Sequence, residues 1–341
     1  MINIPYRTRY ALKRAAQIIV AILLIAAVVL LCWFLWLKRY VIYTRDEGAV
    51  LDMQMSAQVA EGEEVLPPGE KDPVNIYYNE GENAINTSRE LSQITGYYAD
   101  TAALEAGVSA VWEQAKALPT GTPVMLDVKS PKGNFYYSSG VSSDRHSRID
   151  IATMDAMIKD LSSKGVYLIA RLPAFRDYAF GLSHTPNGLY VKSGGYLWAD
   201  DDYCYWLNPA KEGTQTYLVQ IVTELKNMGF DEVVFEAFRF PDTDNLKFSD
   251  DKTAALVSAA NILVTSCATE SFAVSFVQEP GFAVPEGRCR LYITSAVASN
   301  AATIAQQTGF EDPAAKLVFL TEVHDTRFDE YSVLRPLEAA H

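Results

Sequence analysis

From residue 94 onward, segments that resemble β-strands alternate with segments that resemble helices. The strand-like segments are short runs of apolar and β-branched residues, and the helix-like ones have apolar residues three and four positions apart. Seven strands are predicted, at 94–99, 123–129, 166–172, within 229–241, and at 272–277, 290–294 and 316–320. Helices are predicted at 101–118, 151–164, 212–228, 251–268 and 297–308. Such repeated units imply parallel strands joined by right-handed crossovers.

Parallel strands of this kind form either an open doubly wound sheet or a closed barrel. Seven strands over about 250 residues favour an α/β fold of the (β/α)8 TIM-barrel type, assigned to residues 91–341. The GxGxxG and GxxxxGK[ST] turns of nucleotide-binding sheets are absent. The C-terminal segment RFDEYSVLRPLEAAH contains no convincing eighth strand. We therefore expect a barrel that is incomplete or irregular at its last strand, or one that takes a strand from VNIYYN at 74–79.

Residues 18–37, IIVAILLIAAVVLLCWFLWL, form a run of twenty residues without a charge. At ~1.5 Å per residue, a helix of this length crosses a bilayer. The run is too long for a cleaved signal peptide and ends in bulky residues, so we interpret it as a retained transmembrane helix. Basic residues precede it without any acidic residue, whereas Asp46 and Glu47 come soon after it. This bias predicts that residues 1–17 are cytoplasmic and that the rest is extracytoplasmic, on a single-pass anchor in the cell membrane.

The chain beyond this helix is strongly acidic. Seven of the 29 basic residues and none of the 42 acidic residues lie before Asp46, which leaves a charge of about −20 on the remainder. So acidic a surface repels nucleic acid, and we expect no nucleic-acid partner. Residues 38–90 are rich in Glu, Gly and Pro and lack a sustained period, so they are predicted to be a stalk or linker.

The cysteines and histidines do not predict a metal site or a cofactor. Cys204, Cys267 and Cys289 show no CxxC spacing, which excludes a zinc cluster or a disulfide framework. We interpret them as buried free thiols, with one bridge between two of them as the alternative. The four histidines lack metal-ligand spacing, and the HExxH and GxSxG motifs are absent. We expect neither a metal nor a cofactor.

Charged and polar residues follow the predicted strands where a TIM barrel carries its functional groups. They are Asp127, Lys129, Arg171, Glu236, Arg239, Gln278, Glu279, Thr294, Glu322, His324 and Asp325. A pair of carboxyl groups at the barrel mouth suits glycoside hydrolysis, in which one protonates the leaving oxygen and the other attacks or activates water. Glu236 is the candidate for one of these groups, and Glu279 or Glu322 for the other.

A long insertion at 174–210 is rich in aromatic residues, among them Trp198, Tyr203, Tyr205 and Trp206. Aromatic rings of this kind stack on the faces of sugars. The alternative is that they pack the loop against the barrel.

Four blocks of sequence resemble, in order and spacing, a family of bacterial glycoside hydrolases with a TIM-barrel domain. The blocks are LDVKSPKGNFYYSS (126–139), GVYLIARLPAFRD (165–177), WADDDYCYWLNP (198–209) and GFDEVVFEAFRFP (229–241). The resemblance covers about residues 92–325. It implies an extracytoplasmic, carbohydrate-directed barrel related to the amylase-type and other retaining glycosidases. Those enzymes pair the fourth strand with the fifth or with the seventh, and both pairings stay open here.

The resemblance also marks individual residues. Those that match the family are Asp127, Lys129, Arg171, Asp177, Trp206, Asn208 and Arg239, which with Trp198 are the predicted substrate-binding residues. The chain departs from the family where the usual Phe-Asp-Tyr is replaced by Phe235-Glu236-Ala237. Glu is one methylene longer than Asp, so its carboxyl lies about an ångström further out, and a shift of ~1 Å can change a rate ~10²-fold.

Two hypotheses follow. The first is a membrane-anchored glycoside hydrolase acting on cell-wall or extracellular polysaccharide by paired-carboxylate chemistry. The second is a catalytically inactive barrel that binds glycan or protein at the cell envelope. This alternative predicts that Glu236 is held in an ion pair with Arg171 or Arg239 and that no cleft is open beside it.

Overall fold

The computed structural model describes residues 91–337 and two short strands, Val41–Thr44 and Gly48–Leu51. The chain divides into two compact units, Met1–Glu80 and Gly81–His341. In the first unit the two short strands pair antiparallel. Over the described residues, no helix has the length and apolar character needed to span a membrane. The transmembrane helix predicted at 18–37 lies outside the described residues.

Eight parallel strands close into a barrel in the second unit. They are β1 Thr95–Ala99, β2 Val124–Asp127, β3 Leu168–Pro173, β4 Glu232–Glu236, β5 Ala273–Val277, β6 Leu291–Thr294, β7 Leu317–Leu320 and β8 Ser332–Pro336. Each strand pairs with the next, and β8 pairs with both β7 and β1. This is the architecture of a TIM barrel, as the alternation of segments predicts.

The eighth strand is SVLRP, inside the segment where no convincing strand was predicted. Val333 and Leu334 are fully buried, and Val333 lies in register with Thr95 on one side and Phe319 on the other. The expectation of an incomplete barrel, or of a strand taken from 74–79, is therefore wrong. Only two central apolar residues mark β8 in the sequence, because a polar and a proline residue follow them.

Helices alternate with most of the strands. They are α1 Thr101–Lys116, α2 Ile151–Ser163, α3 Tyr178–Ser183, α4 Glu212–Asn227, α5 Lys252–Cys267, α6 Ala301–Thr308 and α7 Pro313–Lys316. One short helix, α3, lies in the insertion after β3. An aspartate side chain caps the first turn of α1, α2, α3 and α5 by accepting a backbone N–H bond. Gly229 lies between α4 and β4 with a φ of 97°, a left-handed conformation that favours glycine.

Side chains inside the barrel form three layers, because alternate residues of each strand point inward. Along β4 these residues are Glu232, Val234 and Glu236. The middle layer is apolar and includes Met125, Ile169, Val234, Tyr292, Val318 and Leu334. The layer at the N-terminal ends of the strands, called the floor here, is polar. The layer at the C-terminal ends is polar as well.

The floor is a buried network centred on the ion pair between Glu232 and Arg290, whose closest atoms are 2.5 Å apart. Glu232 also accepts hydrogen bonds from Ser275 Oγ at 2.6 Å, Tyr167 Oη at 2.9 Å and Tyr292 Oη at 3.0 Å. Arg290 donates in addition to two backbone carbonyl groups. Buried charge is costly without partners, and here both partners are satisfied.

Cys204, Cys267 and Cys289 are buried and free, as interpreted from their spacing. Burial raises the pKa of each thiol above its ordinary value. Thiols in such surroundings are poor nucleophiles, so these residues are structural.

Candidate active site

Arg171 connects two carboxylates at the C-terminal ends of β2 and β4. Its Nε atom lies 2.6 Å from Asp127 Oδ1 and 3.9 Å from Glu236 Oε2. The strand register brings them together, because Asp127 lies opposite Arg171, and Arg171 lies opposite Val234, two residues before Glu236. The two carboxylate oxygens are separated by no more than those two distances laid end to end, about 6.5 Å.

Asp127 is held firmly in this cluster. Its second oxygen, Oδ2, accepts hydrogen bonds from the backbone N–H of Thr101 at 2.7 Å and from Thr101 Oγ1 at 2.9 Å. Thr101 Oγ1 also lies 3.0 Å from the hydroxyl of Tyr136. Burial raises the pKa of Tyr136 to about 12, so its hydroxyl stays protonated. Asp127 thus has its orientation fixed from both sides.

Glu236 is in a different environment. Its side chain is 38% exposed and, among the described residues, accepts no hydrogen bond. Desolvation raises the pKa of Glu236, and the nearby guanidinium of Arg171 only partly opposes this effect. A carboxyl group that keeps its proton to a higher pH and is open to solvent is suited to donating that proton.

The backbone turns sharply directly after Glu236. Ala237 has a φ of 47°, in the left-handed region that residues with a Cβ seldom adopt. Such positions cost about 1–3 kcal/mol and cluster at functional sites. Because β4 ends at Glu236, this turn helps to set the direction of the chain directly after the Glu236 carboxyl group.

Glu279 and Glu322, the predicted partners of Glu236, are both exposed in the loops after β5 and β7. Neither forms an ion pair within the described part of the chain. Burial first, and then the charge of Glu322, raise the pKa of Tyr98, whose ring lies 5.7 Å from the Arg171 guanidinium. Glu322 therefore belongs to the electrostatic surroundings of the Arg171 cluster through Tyr98. Their catalytic roles stay predictions.

Lys129 and Asp177, predicted to bind substrate, instead form an ion pair whose side chains have no exposed surface. Lys129 Nζ lies 2.6 Å from Asp177 Oδ2, an ionic contact that lacks hydrogen-bond geometry. Asp177 also accepts from Tyr217 Oη at 2.8 Å and caps α3 by accepting from the N–H of Phe180 at 2.9 Å. Full burial excludes direct contact with a ligand in this conformation, so the pair holds the loop after β3.

Trp206 and Asn208, also predicted to bind substrate, both make contacts within the insertion. Trp206 is buried and donates from Nε1 to Asp200 Oδ2 at 2.9 Å. The same carboxylate lies 2.5 Å from Arg176 Nε. Although burial opposes it, the Arg176 guanidinium lowers the pKa of Asp200 to about 2. Asn208 accepts from the N–H of Ala210 at 2.9 Å, in a turn that leads into α4.

Arg239 and Trp198 remain accessible near the mouth. Arg239 is exposed, with its guanidinium 5.2 Å from the centre of the Trp206 ring. Over the described residues it makes no ion pair, with Glu236 or with any other carboxylate. Trp198 is half-buried and packs edge-on against Trp206 at 6.4 Å. The insertion therefore contains both a packing ring and an accessible ring, and stacking of the accessible ring on a sugar stays a prediction.

Thr101, Tyr98 and Tyr136 also belong to the Arg171 cluster, although they are not among the site residues predicted from the sequence. Thr101 is the first residue of α1 and lies two residues after the end of β1, so its position near a strand end could have indicated its proximity to Asp127. Tyr98 lies on the inner face of β1, partly buried against the apolar middle layer. Tyr136 lies in the long loop after β2, and no sequence period places that loop above the barrel.

Several solved structures resemble the barrel. A hypothetical protein from Ruminiclostridium thermocellum is 20% identical, with 53% of this chain and 96% of that chain covered and a TM-score of 0.45. The glycoside hydrolase domain of PelA from Pseudomonas aeruginosa is 12% identical, covering 72% and 95%, with a TM-score of 0.43. An exo beta-N-acetylglucosaminidase from Vibrio harveyi is 10% identical, with a TM-score of 0.47. Only 41% of that enzyme is covered, against 67% of this chain.

A comparison with curated protein sequences gives no match. A family model described as "Putative glycosyl hydrolase domain" matches residues 102–275, slightly more than half of the chain. The matched range runs from α1 to β5 and includes Asp127, Arg171 and Glu236. The chain therefore belongs to this glycosyl hydrolase domain family.

Proposed function

We propose that the protein is a membrane-anchored glycoside hydrolase that acts on cell-wall or extracellular polysaccharide, with Asp127, Arg171 and Glu236 at its catalytic centre. One observation carries the proposal. Glu236 is an accessible carboxyl group with a raised pKa, and it lies beside a carboxylate whose orientation is fixed by hydrogen bonds. Two carboxyl groups in such unlike environments are the usual basis for dividing acid and base roles.

In this proposal Glu236 is the general acid. Its proton passes to the glycosidic oxygen as the bond from that oxygen to the anomeric carbon breaks. The raised pKa keeps more of Glu236 protonated near neutral pH than an ordinary carboxyl group would be. Its exposed surface leaves room for the sugar oxygen to approach.

Asp127 is the proposed second carboxylate. Its separation from Glu236 of at most about 6.5 Å suits a retaining enzyme, for which about 5–5.5 Å is typical. Asp127 attacks the anomeric carbon while Glu236 protonates the departing oxygen. Glu236 then takes a proton from water as that water attacks the same carbon and releases Asp127, so that both residues return to their starting states.

The alternative, an inactive binding barrel, required Glu236 to be held in an ion pair with Arg171 or Arg239. The 2.6 Å contact of Arg171 is with Asp127, and its nearest approach to Glu236 is 3.9 Å. Arg239 contacts the Trp206 ring and the Phe240 carbonyl oxygen instead. The ion pair with Arg171 that the alternative predicts is therefore present, but only as the longer of the two ionic contacts of Arg171. Glu236 keeps a partly exposed carboxyl group beside it, which supports the hydrolase.

The location and substrate in this proposal come from the sequence. The uncharged run at 18–37 supports an anchor, and the acidic chain beyond it supports a glycan rather than nucleic acid as partner.

The test is release of reducing sugar from a set of bacterial and plant polysaccharides by the full chain in detergent. Glu236→Gln and Asp127→Asn should each reduce the rate by about 10²–10⁴-fold. With a dinitrophenyl glycoside, whose leaving group needs no proton, Glu236→Gln should lose much less. Azide should restore turnover to Asp127→Ala and yield a glycosyl azide.

The same azide assay on Glu279→Ala and Glu322→Ala identifies the partner. If azide restored turnover to one of these variants but not to Asp127→Ala, that glutamate, and not Asp127, would be the carboxylate that attacks the anomeric carbon. A folded wild-type chain that binds glycans but releases no sugar would favour the inactive barrel.

A further inference from the structure

A groove of about 680 Å³ crosses the insertion between β3 and α4. Four of the residues that line it are aromatic, and two are small polar residues: Tyr190, Tyr196, Trp198, Tyr205, Thr185 and Asn245. Tyr196 is 65% exposed, so its ring is available to a ligand in the groove. The groove is separate from the Arg171 cluster, none of whose residues lines it.

The groove is built from fixed backbone. Tyr190 pairs with Leu197, and Ala199 with Tyr205, in short antiparallel bridges. The segment that carries Asn245 is tied on by a hydrogen bond from the N–H of Lys247 to the carbonyl oxygen of Tyr190 at 2.8 Å. The Tyr205 ring stacks on Tyr178 with centroids 5.3 Å apart. The accessible rings are therefore carried by backbone that is held in place by hydrogen bonds.

The chemistry of the lining restricts the ligand. Within the described residues, the groove wall includes no acidic or basic side chain, although the chain beyond the predicted anchor has a charge of about −20. A charged ligand would find no counter-charge here. Aromatic faces with hydroxyl and amide groups at their edges match a pyranose ring, which has apolar C–H faces and a rim of hydroxyl groups.

The groove opens on the same end of the barrel as Glu236. It lies in the loop after β3, and loops that follow strands lie at the C-terminal face. Trp198 contacts Trp206, and Trp206 packs against Arg239, three residues beyond Glu236. A continuous set of side chains thus joins the groove to the end of β4.

We propose that this groove is a binding subsite for a neutral glycan chain, distal to the bond that is cleaved. The proposal rests on the proposed function for the polymer that occupies it, but its binding can be measured without cleavage. Trp198 and Tyr196 supply the stacking faces, and Asn245 and Thr185 supply polar contacts. A chain long enough to reach both sites should gain affinity from the groove, whereas a short one should not.

The experiment measures binding of neutral hexasaccharides of glucose and of N-acetylglucosamine to the full chain carrying Glu236→Gln, by calorimetry. Adding Trp198→Ala or Tyr196→Ala should weaken binding of at least one hexasaccharide about tenfold. Tyr203→Ala is the matched control, because Tyr203 is an exposed tyrosine of the same insertion that does not line the groove. It should leave binding unchanged, and the corresponding disaccharides should not distinguish the variants.

Each outcome bears on the groove separately from the hydrolase. If Trp198→Ala weakens hexasaccharide binding and the wild-type chain cleaves no polysaccharide, the groove is supported and the hydrolase is contradicted. Cleavage and binding that are unaffected by both substitutions at every chain length overturn the groove and leave the hydrolase standing. Equal losses in the Tyr203 control, or binding of an aromatic peptide in place of every glycan, would also overturn the groove.

Discussion

Arg171 lies 3.9 Å from Glu236 without a hydrogen bond between them, since its Nε atom is directed to Asp127. This geometry leaves Glu236 with a positive charge nearby but with no direct donor. Desolvation therefore prevails, and the pKa of Glu236 is raised.

This raised pKa predicts how stability changes with pH. The ordinary value is 4.5, so the contribution of Glu236 to stability is complete below that pH and is lost as pH rises through the raised value. Glutamine does not ionise, so the Glu236→Gln variant does not lose this stability as the pH rises. The variant should unfold at a higher temperature than wild type at pH 7, by a few degrees at most, and the difference should vanish near pH 4. Scanning calorimetry across this range measures it, and a constant difference would contradict the assignment.

The position of the Glu236 carboxyl group predicts a sensitivity to side-chain length. Glu236→Asp removes one methylene and retracts the acid by about an ångström, which should lower kcat about 10²-fold and change KM little. Glu311→Asp, an exposed position in the loop after α6, is the matched control and should change neither. Steady-state kinetics on one polysaccharide suffices, and equal kinetics for Glu236→Asp and wild type would argue against Glu236 as the acid.

The floor predicts a large loss of stability when one partner is removed. Arg290→Met leaves Glu232 charged and buried, and should lower the free energy of unfolding by about 3–5 kcal/mol. Replacing both residues, as Glu232→Leu with Arg290→Met, should recover much of the loss. Chemical unfolding measures both variants. Arg327→Met breaks the exposed pair with Asp325 and should leave the unfolding curve nearly unchanged, which makes it the control.

Burial of the Lys129 and Asp177 pair predicts that substitution affects the fold rather than substrate binding. Lys129→Met should lower the free energy of unfolding by about 3–5 kcal/mol, because Asp177 would lose its buried counter-charge. At temperatures where the variant stays folded, KM should be unchanged. An unaltered unfolding curve with a raised KM would restore the substrate-binding role predicted from the sequence.

The left-handed conformation of Ala237 predicts an unusual tolerance of glycine. Ala237→Gly relieves a strain of about 1 kcal/mol and should leave stability equal or slightly higher, despite the greater freedom of glycine in the unfolded chain. Ala237→Val should be clearly destabilising, since branched side chains avoid positive φ. Thermal unfolding of both variants tests this, and a loss in the glycine variant with none in the valine variant would contradict it.

The alternation of strands and helices predicted the barrel because each unit buries one apolar face in a regular period. It did not reveal β8, where Arg335 and Pro336 follow only two buried apolar residues. Strand pairing on both sides supplies what the local sequence lacks, because Val333 is hydrogen-bonded into place between β7 and β1.

The sequence predicted which residues lie together at the mouth, whereas their catalytic roles stay predictions. Position at a strand end correctly brought Asp127, Arg171 and Glu236 together, because parallel strands end at one face. Position at a strand end does not show whether a side chain is buried or accessible. Lys129 therefore resembled a substrate-binding residue in the sequence, although its charge is fully buried in the structure. The strand-end criterion also missed Arg290, although its place two residues before the inward-pointing Tyr292 was a usable signal.

The apolar middle layer has a consequence for how the protein can diverge. Glu232 and Glu236 are four residues apart on one strand, about 13 Å, with Val234 and its neighbours between them. The main charges that act on Glu236 are those of Arg171 and Asp127 at the mouth, and the ion pair of the floor is not among them. An exchange of one acid for another at position 236 should therefore leave the buried ion pair of the floor, and the stability that it provides, unchanged.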